Sequence, residues 1–461
     1  MSDTSLHDVL ASSGDVVETF RNMDLEASIW DYPDKPYDFP AEFTHWIREQ
    51  RAWREQCALI DQSYHMSHLS VEGPEAVDLL ERLAVNSFAD WRAGDPPMAK
   101  QFVAVNPDGY LIGDCMLFWL EGDSYLMVGE EPTHNWVKYH AETGDEDADA
   151  EYIYNPLGPR DPAYFRFEVA GPNAMDLMAD VVDGDLPEIH FFEMAEFSVQ
   201  GADAYARGHQ MTSERGIEFF GDYEHHDEVL DRLFEVGQQY GLHQVGNKAY
   251  VTTGPELAWI PIPVPAVYEH PDLQDYREWL PAQTLEANFA LGGSYVAEAI
   301  SDYYATLGGM GYEHIVDFDH EFVGKAALQE RWEDAGEQKV TFIIDDEDVM
   351  KVNNSLFREG DTYQFMDIPD VPYRGSISRY DAVLKDGENV GISKHPSYNY
   401  NEREVASLGW IDDEYAEPGT RVTIMWGDRD TEKTQIEPHV QTDLQATVAP
   451  APYMKTDRQD M

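Results

Sequence analysis

A short pattern that occurs twice, V-x-G-P-x-A-x-D-L, places the strongest constraint on how this chain can fold. Val71–Leu79 reads VEGPEAVDL and Val169–Leu177 reads VAGPNAMDL. Each copy follows a segment with strand-like alternation and continues with apolar residues at helical spacing. Glycine allows a sharp turn, and proline suits the first position of a helix because it lacks an N–H group. Two such units predict an α+β fold with a split β-α-β, ferredoxin-like layer; chance is the alternative, since Gly-Pro before a helix is common.

Other segments of the sequence predict further elements of the fold. Residues 101–129 alternate or run apolar between turn-forming residues, which predicts a meander of antiparallel strands. Glu142–Glu151 (ETGDEDADAE) is highly charged, so we expect a solvated loop there. Asp227–Tyr240 has the spacing of an amphipathic helix that Gly241 would end. From about Gln338 onward, short strands between turn residues predict a C-terminal β domain.

The charge of the chain indicates the medium in which it works. Its 461 residues include 31 lysines and arginines and 89 aspartates and glutamates, which give a formal net charge of -58. In molar salt the Debye length falls to about 3 Å, so repulsion among these charges is screened. The composition therefore predicts a halophilic protein, with an ordinary acidic protein as the alternative. It also disfavours nucleic acid and anionic membranes as partners.

Cysteines, histidines and the N-terminal segment bear on metal binding and localisation. Cys57 and Cys115 are the only cysteines, too few for a disulfide framework and without the spacing of a metal pair. His225 and His226 lie among acidic residues, where we expect a solvated face, and no metal is predicted. The N-terminal segment lacks a basic region, and no stretch approaches the ~18 apolar residues of a membrane helix. We therefore expect a soluble cytoplasmic protein.

One longer segment carries a resemblance to a known family. Leu285–Leu328 contains, in order, Leu-Glu-Ala, a glycine turn, an acidic and aromatic stretch, and FVGKAAL. This order resembles the late part of the folate-binding core in the aminomethyltransferase (glycine-cleavage T-protein) superfamily. Taken alone, the segment would also suit a loop and a helix that merely pack a core.

Further strings narrow the resemblance to the tetrahydrofolate-dependent aromatic O-demethylases of the vanillate and syringate type. They are Trp53-Arg54, Asp61–Met66, Asn135-Trp136, Tyr139–Ala141, Phe191–Glu196, Tyr276–Ala282 and Glu437–His439. The resemblance implies a three-domain cloverleaf. Residues 1–337 would form ferredoxin-like and antiparallel β subdomains around a central folate funnel, and residues 338–461 a C-terminal β-barrel domain.

The implied reaction is methyl transfer from a methoxylated aromatic to N5 of tetrahydrofolate, the expected cofactor. The expected partner is a small-molecule methyl donor, and the oligomeric state stays open. Two alternatives remain. One is an aminomethyltransferase or an onium (betaine or sulfonium) methyltransferase of the same superfamily, and the other is a non-catalytic folate-binding or regulatory protein.

The resemblance places the catalytic groups at Tyr250 and His65. Tyr250 ends the string VGNKAY, where the O-demethylases carry a tyrosine. The reaction releases a phenolate, and a tyrosine with an ordinary pKa of about 10 can hydrogen-bond or protonate it. His65 ends DQSYH and matches a pocket histidine that would hydrogen-bond a phenolic hydroxyl. A half-buried aromatic and a structural histidine are the alternatives.

Three residues are expected at the cofactor. Glu218 in Gly-Ile-Glu matches an acidic residue that binds the pterin amino edge, and a carboxylate can accept from two N–H groups at once. Trp259 would pack on the pterin or belong to the core. The glycine-cleavage branch has two adjacent aspartates where this chain has Gly113-Asp114, so Asp114 is the candidate that remains of that pair.

Three residues are expected at the substrate. The resemblance implies Tyr32 and Tyr64 as aromatic contacts. Where aryl-acid demethylases carry an arginine after Val-Gly, this chain has Val128-Gly129-Glu130-Glu131. Because a carboxylate repels an acid and attracts a cation, Glu130 favours a neutral methoxyphenol or a betaine- or sulfonium-like donor. A surface charge at the end of a loop is the alternative.

Overall fold

The computed structural model describes residues 5–12, 14–22, 40–156, 161–212, 214–261, 263–332, 336–368, 377–429, 431–434 and 436–453. No helix in these ranges is long and apolar enough to cross a membrane. The α-helices are α1 (Leu6–Ser12), α2 (Val16–Asn22), α3 (Trp46–Glu55), α4 (Ala76–Leu83), α5 (Glu131–Thr143), α6 (Ala174–Val181), α7 (His226–Gly237), α8 (Asn247–Tyr250), α9 (Gly254–Leu257), α10 (Gln274–Trp279), α11 (Leu307–Met310), α12 (Lys325–Arg331) and α13 (Asp346–Ser355).

The strands form two sheets, a short pair and a barrel. They are β1 (Cys57–Asp61), β2 (Ser67–Glu72), β3 (Met98–Val105), β4 (Leu111–Glu121), β5 (Ser124–Gly129), β6 (Asp149–Tyr154), β7 (Tyr164–Ala170), β8 (Met194–Val199), β9 (Ala202–His209), β10 (Gly216–Asp222), β11 (Leu242–Gln244), β12 (Ala290–Gly292), β13 (Glu337–Ile344), β14 (Ile377–Arg379), β15 (Asp381–Lys385), β16 (Glu388–Asn399), β17 (Glu404–Asp412), β18 (Arg421–Trp426) and β19 (Thr442–Ala449).

The chain weaves between the two sheets. After β1 it forms a five-stranded sheet with the order β3-β4-β5-β2-β6, and it then returns to complete a six-stranded sheet with the order β11-β1-β7-β10-β9-β8. β1 pairs antiparallel with β7, so that Leu59 lies opposite Val169. The six-stranded sheet is therefore complete only after the chain has built the other sheet, and the two are interwoven.

Helices bury the apolar face of the six-stranded sheet. Leu177 of α6 and Leu233 of α7 are fully buried in one cluster with Phe167, Val169 and Phe219 of the strands. Burial of a large apolar side chain contributes about 1.5–3 kcal/mol relative to exposure, so this layer fixes the sheet firmly. Arg166 and Glu168 of β7, Arg207 of β9 and Glu218 of β10 alternate with these apolar residues and lie on the opposite face of the sheet.

The C-terminal strands close into a barrel with the order β13-β17-β16-β15-β18-β19. Phe342, Ile424 and Trp426 are fully buried in its core. The parallel pair β12–β14 aligns Ala290 with Ile377 and joins the preceding segment to the barrel region. The α+β fold and the C-terminal β-barrel expected from the sequence are confirmed.

The repeated pattern forms the predicted strand–turn–helix unit twice, as β2–α4 and β7–α6. Gly73 and Gly171 adopt φ values of +133° and +122°, and a Cβ at either place would collide with neighbouring backbone. Two details were wrong. Pro74 and Pro172 lie in the turn, two residues before each helix begins. The two units also belong to different sheets, because the chain adds strands to both, so they do not share one β-α-β layer.

Two other predicted elements are present as expected, and a third is present in part. The meander is confirmed as β3–β5, and α7 continues as a 3-10 turn to Tyr240 before Gly241 with φ +70°. The solvated loop at Glu142–Glu151 was only partly right, because Asp149 starts β6. The alternating sequence there turns Ala148 and Ala150 inward, as a strand period of two allows.

Candidate functional site

A cavity of about 360 Å³ lies between the two sheets and the barrel. Its volume falls within the range of small-molecule sites, roughly 300–1,000 Å³. The polar and ionisable side chains on its wall are Gln62, Gln101, Asp114, Glu130, Arg166, Arg207, His209, Tyr250, Trp259, Tyr312, His314 and Lys339. A wider cleft of about 1060 Å³ adjoins the cavity at Gln101, Phe191, Phe192 and His314, which line both.

Tyr250 lies on the cavity wall in a hydrogen-bonded pair with His65. Its hydroxyl oxygen is 2.8 Å from Nε2 of His65. Burial lowers the pKa of His65 to about 3, and a hydrogen bond to the backbone of Gln62 acts in the opposite direction. The tautomer of the imidazole decides whether Nε2 of His65 accepts from the hydroxyl of Tyr250 or donates to it. Burial raises the pKa of Tyr250, so the pair is a neutral phenol and a neutral imidazole.

Trp259 and Asp114 lie together on the same wall. Nε1 of Trp259 donates to Oδ2 of Asp114 at 3.3 Å, and Nε2 of Gln101 donates to the same oxygen at 3.1 Å. Burial raises the pKa of the Asp114 carboxyl, while hydrogen bonds from Gln101, Tyr312 and Trp259 act against it. The structure thus brings two of the three expected cofactor residues into contact.

The residue before Asp114 has no room for a side chain. A Cβ at Gly113 would collide with Oγ1 of Thr133, at the start of α5. That hydroxyl donates to the backbone oxygen of Asp114 at 3.3 Å. The hydroxyl of Thr133 therefore takes the place of a side chain where the glycine-cleavage branch is expected to carry its first aspartate.

Glu130 faces the cavity, a position that could not be inferred from the sequence. It precedes α5 and makes no capping hydrogen bond with its side chain. Burial, together with the nearby charges of Glu131 and Asp114, raises the pKa of its carboxyl to about 7. The carboxylate of Glu131 instead accepts from the backbone N–H of Leu285 at 3.0 Å and from the side chain of Asn155. Of the two adjacent acids, Glu130 is the one that lines the cavity.

Glu218 lies behind the wall, at 1% exposure. Nη2 of Arg166 donates to Oε1 at 2.5 Å, and Nη2 of Arg207 donates to Oε2. Burial alone would raise the pKa of Glu218, but Arg207 and Arg166 hold it well below its usual range. The two arginines line the cavity and cover this carboxylate. Glu218, which the sequence placed at the pterin, therefore does not lie on the surface of the cavity.

One group of described residues has a geometry that could hold a metal ion. The ligand atoms of Glu168, His209 and Glu218 all lie within 4.8 Å of one another. Two guanidinium groups already pair with Glu218, and their positive charge opposes a cation at this place. The absence of a metal stays a prediction.

Tyr64, expected at the substrate, is not brought to the cavity. Its hydroxyl lies 2.8 Å from that of Tyr223 and 3.4 Å from Nε2 of His226. The expected solvated face was wrong for His226, which is 7% exposed because its imidazole pairs with Asp61 at 3.0 Å. Tyr32 lies outside the described residues.

Sequence reasoning missed the arginines of the wall. Arg166 and Arg207 stand in the middle of β7 and β9, within YFRFEVA and ADAYARGH. A charged residue inside an apolar strand is rarely buried unless it is paired or functional. That placement, in a chain with only 31 basic residues, was the available signal.

The architecture matches a solved structure. The crystal structure of glycine cleavage system aminomethyltransferase T from Bartonella henselae aligns with a TM-score of 0.61 over 95% of both chains, at 13% sequence identity. A core of two interwoven sheets and a C-terminal barrel therefore define a T-protein-like fold.

Sequence similarity then gives the family. The GCVT N-terminal domain model matches residues 6–260. Syringate O-demethylase from Sphingobium sp. is 37% identical over 98% of this chain and 97% of its own length. Sesamin methylene transferase from Sinomonas sp. is 26% identical over 84% of each chain, and an aminomethyltransferase from Halothermothrix orenii is 25% identical over 84% of this chain and 89% of its own. The chain belongs to the aminomethyltransferase family, which confirms the resemblance seen in the sequence.

Proposed function

We propose that this protein is an enzyme that transfers a methyl group from a methoxylated aromatic to N5 of tetrahydrofolate. The products are 5-methyltetrahydrofolate and a phenol. The observation that carries the proposal is the Tyr250–His65 pair on the wall of a small-molecule cavity, in a chain 37% identical to a syringate O-demethylase. The net charge of -58 supports a saline cytoplasm as its medium and a small-molecule methyl donor, not nucleic acid, as its partner.

The chemistry of the cavity suits a reduced pterin. The amino edge of a pterin carries N–H donors, and Asp114 and Glu130 offer carboxyl groups to them. The indole of Trp259 supplies a flat surface for the ring. When bound, tetrahydrofolate supplies N5 as the methyl acceptor, and Trp259 and Asp114 would hold its ring. Glu218 contributes through Arg166 and Arg207, which it fixes in place.

Tyr250 acts on the leaving oxygen. As the methyl carbon is displaced, its bond to the ether oxygen breaks and negative charge develops on that oxygen. The hydroxyl of Tyr250 donates to this oxygen, which leaves as a hydrogen-bonded phenolate, or as a phenol if it takes the proton. The proton lost from N5 on methylation then balances the transfer and restores the tyrosine. General-acid assistance of this kind contributes about 10²–10⁴-fold. Alignment of donor and acceptor in one cavity can supply up to roughly 7–11 kcal/mol more.

A second candidate is methyl transfer from an onium compound such as a betaine or a sulfonium. It is favoured by Glu130 and Asp114, whose carboxyl groups line the same cavity and would attract a cation. An onium donor leaves as a neutral amine or sulfide and needs no acid. The two candidates therefore differ in their dependence on Tyr250.

The deciding experiment incubates the protein in concentrated KCl with tetrahydrofolate and a panel of methoxyphenols, methoxylated aryl acids and betaines. Methylated folate is detected by mass spectrometry, with Tyr250→Phe as the matched variant of nearly equal volume. We expect product from methoxylated aromatics that falls strongly in the variant. Product from a betaine that survives Tyr250→Phe would favour the onium reaction, and no product from any donor would overturn both.

A further inference from the structure

His209 presents an open ring nitrogen to the cavity. It is the last residue of β9, it lines the cavity, and its side chain is 14% exposed. Nδ1 lies 3.0 Å from Oε2 of Glu168. Nε2 has no hydrogen-bond partner in the part of the chain that the structure describes, and it is not among the unpartnered atoms that lack accessible surface. This nitrogen is therefore free to meet a molecule in the cavity.

Glu168 holds the imidazole from behind. Glu168 is fully buried, and its other oxygen, Oε1, accepts from the backbone N–H of Met211 at 3.3 Å. The residue opposite His209 on β10 is Gly216, where a Cβ would lie 2.5 Å from that oxygen, so glycine leaves the space in which the carboxylate reaches the ring. An ionised carboxylate only accepts hydrogen bonds, which makes Nδ1 the donor and leaves a lone pair on Nε2. A carboxylate in this place also stabilises the imidazolium that forms when the ring takes a proton.

The charges around His209 suit a group that takes up a proton and passes it on. Burial and the nearby Arg207 hold the pKa of His209 below its ordinary value of 6.5. Glu168 acts in the opposite direction, as does Glu218, whose Oε2 lies 3.9 Å from Nδ1. The imidazole is therefore neutral at neutral pH and ready to accept a proton.

Tyr250 lies close to this imidazole and needs a proton after each reaction. Met211, two residues after His209, packs in one cluster with Tyr250, and the charge of Glu168 acts on both the tyrosine and the histidine. His65 is a poor source, because burial lowers its pKa to about 3. In an in-line displacement the attacking nitrogen and the leaving oxygen lie on opposite sides of the methyl carbon, so the proton that methylation releases does not appear beside Tyr250.

We propose that His209 is the proton carrier of this cavity; the inference rests on the proposed function. The bond from N5 to the methyl carbon forms while the bond from that carbon to the ether oxygen breaks, and Tyr250 gives its proton to the oxygen. Nε2 of His209 takes the proton that the nitrogen loses. The imidazolium then returns this proton to the oxygen of Tyr250, directly or through water in the cavity. Because a tyrosinate is a far stronger base than an imidazole, the return is downhill, and no further reactant is needed.

The first readout is the ring of His209 in the protein without substrates, kept with a chelator that removes metal ions. Nitrogen-15 NMR of selectively labelled histidine distinguishes the two tautomers and follows the titration, and the spectrum of His209→Gln identifies the signals. We expect the Nδ1–H tautomer and a pKa below 6.5. In Glu168→Gln the pKa should fall further and the two tautomers should mix, because the carboxylate is gone. An Nε2–H tautomer in the unaltered protein would overturn the inference.

The second readout is rescue of turnover by a small base. In His209→Ala we expect kcat for methylated folate to fall by about 10²-fold, while the Kd for tetrahydrofolate, measured by calorimetry, stays within about threefold. Added imidazole should restore part of the rate in proportion to its unprotonated fraction. Pyrazole, which is similar in size but a much weaker base, should not. His190→Gln, which alters a histidine with a 56% exposed side chain, is the control and should leave kcat unchanged.

The outcomes separate this inference from the proposed function. Full activity in His209→Ala, or equal rescue by imidazole and pyrazole, would overturn the inference and leave the methyl transfer standing. No methylated folate from the unaltered protein with any donor would overturn the proposed function and the inference with it. If the alanine variant fails to fold, His209→Gln keeps most of the volume of the ring, and full activity in that variant would count equally against the inference.

Discussion

The hydroxyl of Tyr250 and the imidazole of His65 meet at 2.8 Å, although 185 residues separate them in the chain. Their rings lie at 72° with centres 5.1 Å apart, so the hydroxyl and not the ring face meets the imidazole. Burial lowers the pKa of His65 to about 3, which makes the histidine a poor source of a proton. A neutral imidazole can accept the hydroxyl hydrogen of Tyr250, so we expect His65 to orient that hydroxyl.

Removal of the Tyr250 hydroxyl should therefore slow methyl transfer strongly and leave the binding of tetrahydrofolate nearly unchanged. For Tyr250→Phe we expect kcat to fall by about 10²–10⁴-fold, the usual contribution of a positioned acid. The Kd for tetrahydrofolate, measured by calorimetry, should stay within about threefold because the hydroxyl is not part of the expected pterin contact. His65→Gln, which keeps a hydrogen-bonding side chain, should lose less. Full activity in Tyr250→Phe would remove the tyrosine from the mechanism.

Several strings that carried the family resemblance meet in one buried network. Nδ2 of Asn135 donates to both oxygens of Glu286, at 3.0 and 3.2 Å, and the hydroxyl of Tyr276 donates to the same carboxyl at 3.3 Å. The hydroxyl of Tyr152 donates to Oδ1 of Asn135 at 2.9 Å. Because Asn135 lies in α5, this network fixes the helix that begins directly after Glu130. The resemblance could identify these strings, but only the fold shows that they support the site from behind.

The sequence predicted those elements whose formation depends on residues close together in the chain. The barrel strands and the meander follow from alternation and turn residues, which act within a few positions. The pairing of β1 with β7 does not, because it joins segments on either side of a whole sheet. For the same reason the sequence could not show that Arg166 and Arg207 would cover Glu218. Each pair forms only when β7, β9 and β10 lie side by side.

Glu130 should make folding stability depend on pH. An unfolded glutamate has a pKa of 4.5, whereas burial raises that of Glu130 to about 7. Between these values the folded protein holds a proton that the unfolded chain has lost, so this contribution to stability falls as pH rises. Glu130→Gln removes the effect. It should gain roughly 1–3 kcal/mol over the unaltered protein at pH 8 and nothing below pH 4.5, measured by urea unfolding in constant high salt. An equal gain at both pH values would contradict the assignment.

Gly113 should resist replacement by the aspartate of the glycine-cleavage branch. In Gly113→Asp the new Cβ would collide with Oγ1 of Thr133, so this hydroxyl, which donates to the backbone oxygen of Asp114, must move. We expect a loss of about 1–3 kcal/mol, as for an overpacked core, read as a lower midpoint in urea unfolding. The double variant with Thr133→Ala should recover much of the loss because the obstructing hydroxyl is gone. No recovery would show that the backbone of α5, not the side chain, sets the limit.

Salt should stabilise the protein through screening. With a net charge of -58, the folded chain repels itself, and raising the salt from 0.1 to 1 M shortens the Debye length from about 10 to about 3 Å. We expect the thermal midpoint to rise steadily with KCl. Sucrose at matched osmolality is the control, since it favours compact states without screening charge. A midpoint that responds to sucrose as strongly as to KCl would exclude screening as the cause.

The carboxylate of Glu218 should be a main contributor to stability above pH 4.5. It neutralises Arg166 and Arg207 in a place from which water is excluded, and removing one partner of such a buried cluster typically costs about 3–5 kcal/mol. For Glu218→Gln we expect a loss of this size in the free energy of unfolding at pH 7, measured with urea. Glu224→Gln, which alters a carboxyl with a 79% exposed side chain, is the control and should change it by less than about 0.5 kcal/mol.

The pH dependence of that loss distinguishes an ion pair from simple packing. The two arginines hold the pKa of Glu218 well below its unfolded value of 4.5, so its stabilisation is complete above that pH and declines as the pH falls below it. The difference between the unaltered protein and Glu218→Gln should therefore shrink as the pH is lowered from 4.5 towards the folded pKa. A difference that stays constant from pH 7 to the onset of acid unfolding would mean that the shape of the side chain, and not its charge, holds the two arginines at the cavity wall.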